Sequence, residues 1–133
     1  MRVYIDTSAF LAVMNASDEF HVQAKEIWYR LLEEKTEFVV NSFVLLETHV
    51  LIQNRLGLNA LKSFANHIYP LLTVEWVEQE NYEKSITSLL LAGRKSLSLT
   101  DVSSFNTMKQ LKIDLAFSFD KHFKDQGFSI LEK

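Results

Sequence analysis

Four acidic side chains, Asp6, Glu47, Asp101 and Asp120, stand where carboxylates could do chemistry. Three of them have an ordinary alternative role. Asp6 is followed by Thr7 and Ser8 at a strand-to-helix junction and suits a helix N-cap, Asp101 suits the first turn of a helix behind Thr100, and Asp120 precedes the short helical turn Lys121-His122-Phe123-Lys124. Glu47 has no such alternative. Its helical neighbours at i−4, i−3, i+3 and i+4 are Phe43, Val44, Val50 and Leu51, and no Lys or Arg lies within a turn of it. Burying an unpaired carboxylate costs several kcal/mol, so a glutamate on an apolar face has a cation or a reaction to serve.

The elements around these acids decide whether they can meet. Arg2 to Ile5 reads as a strand ending at Asp6, with Ala9 to Met14 as the helix after it. Ser17 is placed to cap a long amphipathic helix carrying Phe20, Ala24, Ile27, Trp28, Leu31 and Leu32. Glu37 to Asn41 is a second strand, and Ser42 opens a helix that runs to Leu56 before Gly57. A further helix fills Asn59 to Tyr69 and stops before Pro70. Leu72 to Val77 is a third strand, and Tyr82, Ile86, Leu89 and Leu90 share one face of the helix that ends at Gly93. Thr100 caps a helix with Val102, Phe105, Met108 and Leu111, and Leu115 to Phe119 and Ser129 to Leu131 complete the strands.

Strands alternating with helices in this way predict an α/β protein, a three-layer α/β/α sandwich with a mainly parallel sheet of about five strands. In such sheets ligands gather outside the carboxyl ends of the strands, and that edge is where Asp6, Asp101 and Asp120 fall, with Glu47 on a helix facing inward. Four carboxylates brought together repel one another unless a divalent cation lies between them. All-oxygen ligation selects Mg²⁺ or Mn²⁺, the ions that assist hydrolysis of phosphate esters.

Composition narrows the remaining classes. The 133 residues make one domain, 1–133, and only 3 Gly and 1 Pro leave little room for loops. Cysteine is absent, which excludes disulfides, thiolate metal sites and cysteine nucleophiles. No apolar run approaches the ~18 residues of a membrane span, and Asp6 interrupts the N-terminal apolar stretch, so a cytoplasmic protein without membrane attachment is expected. The net charge of −3 argues against a surface that coats nucleic acid, yet with the four acids set aside as metal ligands it becomes +1. Arg94, Lys95, Lys109, Lys112, Lys121 and Lys124 are then available to phosphates.

The segments Val3 to Ser8, the helix with Glu47, Leu97 to Asp101 and Ala116 to Phe123 together resemble the PIN-domain ribonucleases, and more narrowly the VapC-type toxins of prokaryotic toxin–antitoxin pairs. The order and spacing of the four acids match across the chain. The resemblance implies a metal-dependent endoribonuclease in which Asp6, Glu47, Asp101 and Asp120 bind Mg²⁺ or Mn²⁺. It further assigns Ser8 and Ser118 to the small hydroxyl positions that hold the cluster, Ser118 standing where the family often has Thr. RNA as substrate, a homodimer and a small antitoxin encoded alongside follow from the same resemblance.

Other features carry less. Asp125 matches nothing firm and reads as an exposed loop acid. His21, His49, His67 and His122 have no ligand spacing and read as incidental. The three scattered glycines form no phosphate loop. Two rival readings remain, a PIN-like RNA- or partner-binding protein that cleaves nothing, and a housekeeping PIN nuclease without an antitoxin.

Overall fold

The computed structural model describes residues 1–131. Its elements are β1 (Arg2–Ile5), α1 (Thr7–Met14), α2 (His21–Glu33), β2 (Glu37–Asn41), α3 (Ser42–Leu56) and α4 (Leu58–Ser63). A π-helical turn (Phe64–Ile68) and a 3₁₀ turn (Tyr69–Leu71) lead into β3 (Leu72–Glu75). There follow α5 (Gln79–Ala92), α6 (Leu99–Leu111), β4 (Leu115–Phe117), α7 (Lys121–Asp125) and β5 (Ser129–Ile130).

All strand pairings are parallel, in the order β3-β2-β1-β4-β5. The chain walks outward from β1 to β2 and β3, then crosses back to lay β4 and β5 on the other side. Right-handed crossovers therefore assign α1 to α4 to one face and α5 to α7 to the other. Phe10 of α1 meets Phe64 edge-to-face at 5.3 Å on the first face, and Phe105 of α6 meets Phe123 of α7 at 5.0 Å on the second. Because both faces are covered, Val3, Tyr4 and Ile5 are all buried, and the central strand is continuously apolar. The Tyr4 hydroxyl, buried with its ring, donates to Ser104 Oγ at 2.8 Å, so its burial leaves no donor unpaired. The reversal of winding falls between β1 and β4. That is the point where an open parallel sheet leaves a crevice at its carboxyl edge.

Several boundaries differ from the sequence expectation, each for a local reason. Helix α2 begins at His21, not behind Ser17, because Asp18 builds a turn first: its Oδ1 accepts from Phe20 N and its carbonyl from His21 N. Asn41, rather than Ser42, caps α3 by accepting from Val44 N at 2.9 Å, while the Ser42 hydroxyl accepts from Val77 N. The helix expected over 59–69 tightens and widens into the two irregular turns, and Pro70 sits in the opening turn of the 3₁₀ segment, where its missing N–H is harmless. Strand β4 stops at Phe117, and Phe119 peels off to stack on Phe20. No helix among the described residues is long and apolar enough to cross a membrane.

Candidate metal centre

Helices α1, α6 and α7 all start at the carboxyl edge of the sheet, and each brings one of the predicted aspartates in its first turn. Asp6 is the N-cap of α1. Its Oδ2 accepts from Ser8 N at 3.3 Å, Ser8 Oγ at 2.6 Å and Ser118 Oγ at 3.1 Å. Asp101 is the third residue of α6 and forms a capping box with Ser98: Asp101 N donates to Ser98 Oγ at 3.0 Å and Asp101 Oδ2 accepts from Ser98 N at 3.1 Å. Asp120 is the N-cap of α7, with Oδ1 accepting from His122 N at 2.9 Å. Ser98, not Thr100, is thus the cap of α6.

One regularity runs through the three. Each aspartate commits a single oxygen to helix capping, and the other makes no hydrogen bond with any described residue. Capping therefore uses one oxygen of each carboxylate and leaves the other available. The positive ends of three helices also offset part of the mutual repulsion.

The repulsion that remains is substantial. Asp6 is 4 % exposed, and burial above all, with the charges of Asp101 and Asp120 behind it, pushes its carboxyl up to about 6 against the lowering effect of its bonds from Ser8. Asp101 is likewise raised, first by burial and then by Asp120, while its Ser98 bonds and the nearby His122 pull it down. A hard divalent cation suits such a set. The unpaired atoms are anionic oxygens, no thiolate is present, and positive charge would reverse the cost of ionising all three.

His122, incidental when the sequence is read alone, stands beside two of these aspartates. One of its ring nitrogens lies within 4.8 Å of carboxylate oxygens of both Asp101 and Asp120. It is buried, and its Nε2 is 3.0 Å from the Ser96 carbonyl. A carbonyl only accepts, so Nε2 carries the proton and Nδ1, buried without a partner, presents a lone pair in the neutral ring. The bond ties α7, with Asp120, to the loop that enters α6, with Asp101.

Glu47 sits differently. It is half-buried rather than buried, since Leu46 and Val50 beside it are exposed and open that part of α3 to water. Like Asp6, it lies outside the Asp101–Asp120–His122 group, whose members the structure brings within 4.8 Å of one another. The next residue, Thr48, donates to Thr7 Oγ1 at 3.2 Å, so this turn of α3 is fastened to the start of α1 immediately after Asp6. The Ser118 hydroxyl donates to Asp6 Oδ2 and accepts from Asp120 N at 3.0 Å, and Ser8 Oγ accepts from Phe119 N at 3.0 Å.

Around the centre, Lys121 and Lys124 are exposed on α7, and Arg94 and Lys95 are exposed on the loop before α6. Lys109 lies elsewhere, in a cleft with Trp76 between α5 and α6. Asp125 is exposed at the end of α7 and joins none of these groups. His21 and His49 hold backbone carbonyls of Ala12 and Leu45, and His67 is exposed, as expected of incidental histidines.

Comparison with known proteins agrees with this architecture. The family model for the PIN domain matches residues 3–129. The 23S rRNA-specific endonuclease VapC20 of Mycobacterium tuberculosis is 29% identical over 127 residues, 95% of each chain. The crystal structure of Mycobacterium tuberculosis VapC20, a Sarcin-Ricin loop cleaving toxin, superposes with a TM-score of 0.85 over 98% of this chain and 99% of that one. Two more distant structures share the fold: VapBC2 from Rickettsia felis bound to a DNA fragment from their promoter (TM-score 0.71, 12% identity, 98% of each chain) and FitAcB from Neisseria gonorrhoeae (TM-score 0.70, 13% identity, 99% and 97%).

Proposed function

Because the chain belongs to the PIN-domain family, we propose that it is a divalent-metal-dependent endoribonuclease, the toxin of a type II toxin–antitoxin pair. The observation that supports this reading is the Asp101–Asp120–His122 group, whose possible ligand atoms lie within 4.8 Å of one another, with Asp6 close enough to feel the charge of both aspartates and tied to Asp120 through Ser118. The three aspartates, with Glu47 from α3, would hold Mg²⁺ or Mn²⁺. Such an ion, when bound, neutralises charge on the phosphodiester and eases deprotonation of the attacking water.

The protein's own contribution is position. Ser118 holds Asp6 and the backbone of Asp120 through one hydroxyl, Ser8 holds Asp6 and Phe119, and His122 holds the α6 entry loop to α7. Lys121 and Lys124 supply compensating charge for the substrate backbone. No side chain is asked to form a covalent intermediate.

The similarity to VapC20 makes the sarcin–ricin loop of 23S rRNA the first substrate to test. Purified protein is incubated with that RNA and with total RNA, in Mg²⁺, in Mn²⁺ and in chelator. Cleavage that needs either ion and disappears in Asp6→Asn supports the reading, and cleavage that persists in chelator or in Asp6→Asn overturns it.

The partner and setting follow from the same reading: a small antitoxin encoded alongside, action in the cytoplasm, and a homodimer. Exposed Leu46, Val50, Leu58, Leu90 and Leu91 supply apolar surface for such association. Light scattering at micromolar concentration checks the dimer, which a monomer mass contradicts. Co-purification with the product of an adjacent small reading frame checks the antitoxin.

A further inference from the structure

A cleft of about 460 Å³ opens beside the acidic centre and shares a wall with it, since Ser118 and Asp120 line both. Its other walls have a different character. Phe20 from the turn before α2 and Phe119 from the segment after β4 stack face to face, 4.6 Å apart and 5° from parallel, and Phe20 remains 37% exposed. Lys121 and Lys124, one turn apart on α7, rim the opening, and the half-buried Gln23 joins the lining.

Aromatic faces keep only a sequence-tolerant affinity for flat rings, and lysine pairs at helical spacing suit a phosphodiester backbone. The volume is within the range that holds a small ligand, and is sufficient for one nucleotide. The larger cleft between α5 and α6, about 580 Å³, lacks this combination: Glu75, Glu78 and Glu80 line it along with Trp76, Lys84 and Lys109, and they would repel a phosphate.

We propose that the Phe20–Phe119 cleft seats one nucleotide of the RNA strand next to the scissile phosphate, its base against the exposed face of Phe20 and its phosphate on Lys121 and Lys124. This rests on the endoribonuclease reading and adds to it a subsite that sets how the strand enters the centre. Stacking identifies a base by ring size rather than by edge, so a purine is held more tightly than a pyrimidine.

The test uses the full chain in chelator, so that binding is separated from cleavage. Adenosine 5′-monophosphate, uridine 5′-monophosphate and inorganic phosphate are titrated in turn while amide resonances are followed. The nucleotides are expected to move Phe20, Phe119, Lys121 and Lys124, adenosine more strongly than uridine, and phosphate alone is expected to move the lysines only. Phe20→Ala should weaken nucleotide binding by at least about fivefold, the worth of one lost stack, and Phe20→Trp should restore it with quenching of the new indole. The proposal is overturned if folded Phe20→Ala binds as well as the parent, if the nucleotides move resonances elsewhere or none, or if phosphate reproduces the whole pattern. RNA cleavage separates the two readings. Cleavage with an unchanged KM in Phe20→Ala removes the subsite and leaves the nuclease; nucleotide binding in this cleft without any cleavage removes the nuclease and leaves the subsite.

Discussion

Ser118 reaches across 112 positions of sequence to donate its hydroxyl hydrogen to Asp6 Oδ2 at 3.1 Å, and its own Oγ accepts from the backbone N–H of Asp120 at 3.0 Å. One oxygen atom thereby joins the ends of β1 and β4, the two strands between which the winding of the sheet reverses. Removing it leaves a buried carboxylate and a backbone donor each short of a partner. Ser118→Ala is expected to lower stability by roughly 1–2 kcal/mol and RNA cleavage by at least about tenfold, whereas Ser118→Thr keeps the hydroxyl and should retain both. Thermal melts and cleavage rates on the two variants check this.

The pH dependence of the metal-free protein follows from Asp6. Its folded carboxyl titrates near 6, above the ordinary value of 3.8, so the folded state holds a proton that the unfolded chain gives up earlier. The stability it contributes is complete below about pH 4 and is lost as pH climbs toward 6, with Asp101 adding in the same direction. In chelator at pH 7, Asp6→Asn should be the more stable protein, by on the order of 2 kcal/mol, and should show a flatter stability profile between pH 4 and 6. Equal slopes for the two proteins by denaturant titration would sink this account.

Glu47→Gln separates ligand from scaffold. The side chain is half-buried with exposed neighbours, so its replacement in chelator should change stability by no more than about 0.5 kcal/mol. Millimolar Mg²⁺ should then raise the melting temperature of the parent more than that of the variant, because an ion that binds only the folded site stabilises in proportion to its affinity. A variant that gains as much from Mg²⁺ and cleaves RNA at the parent rate would exclude Glu47 from the centre.

His122→Ala breaks the bond to the Ser96 carbonyl and empties a buried site, which should cost roughly 2–3 kcal/mol. The informative readout is the metal: with α7 untied from the α6 entry loop, Asp120 and Asp101 lose their mutual placement. Divalent affinity, measured calorimetrically on the folded variant, should fall at least about tenfold. Unchanged affinity would make His122 a core residue only.

The fold was legible in the sequence, as was the placing of Asp6 and Asp120 at the ends of strands, because both leave local marks. Continuous apolar runs such as Val3 to Ile5 mark strands covered on both faces, and an aspartate directly after such a run marks the carboxyl edge. Less legible was whatever depends on geometry between distant segments. Ser42 and Thr100 look like caps as good as Asn41 and Ser98, and only the backbone angles at each junction choose between them. Glu47 has apolar neighbours on paper, but Leu46 and Val50 are exposed, so an apolar neighbour is not a buried one. His122 has no ligand spacing because its partners are a carbonyl at Ser96 and carboxylates from two helices, a constellation that no single segment records.

The sheet order also bears on how the protein is made. Asp6 leaves the ribosome 112 residues ahead of the hydroxyl of Ser118, and the strand that completes its surroundings, β4, emerges just before that hydroxyl. Folding during translation proceeds from the N-terminus, and β1, β2 and β3 can pair in that interval. The central β1–β4 pairing must wait, and so must Asp120 and His122. A polypeptide halted before Leu115 therefore carries Asp6 without the Phe117 carbonyl that accepts from its backbone N–H or the Ser118 hydroxyl that donates to its carboxylate, so the surroundings of Asp6 close in a single late step.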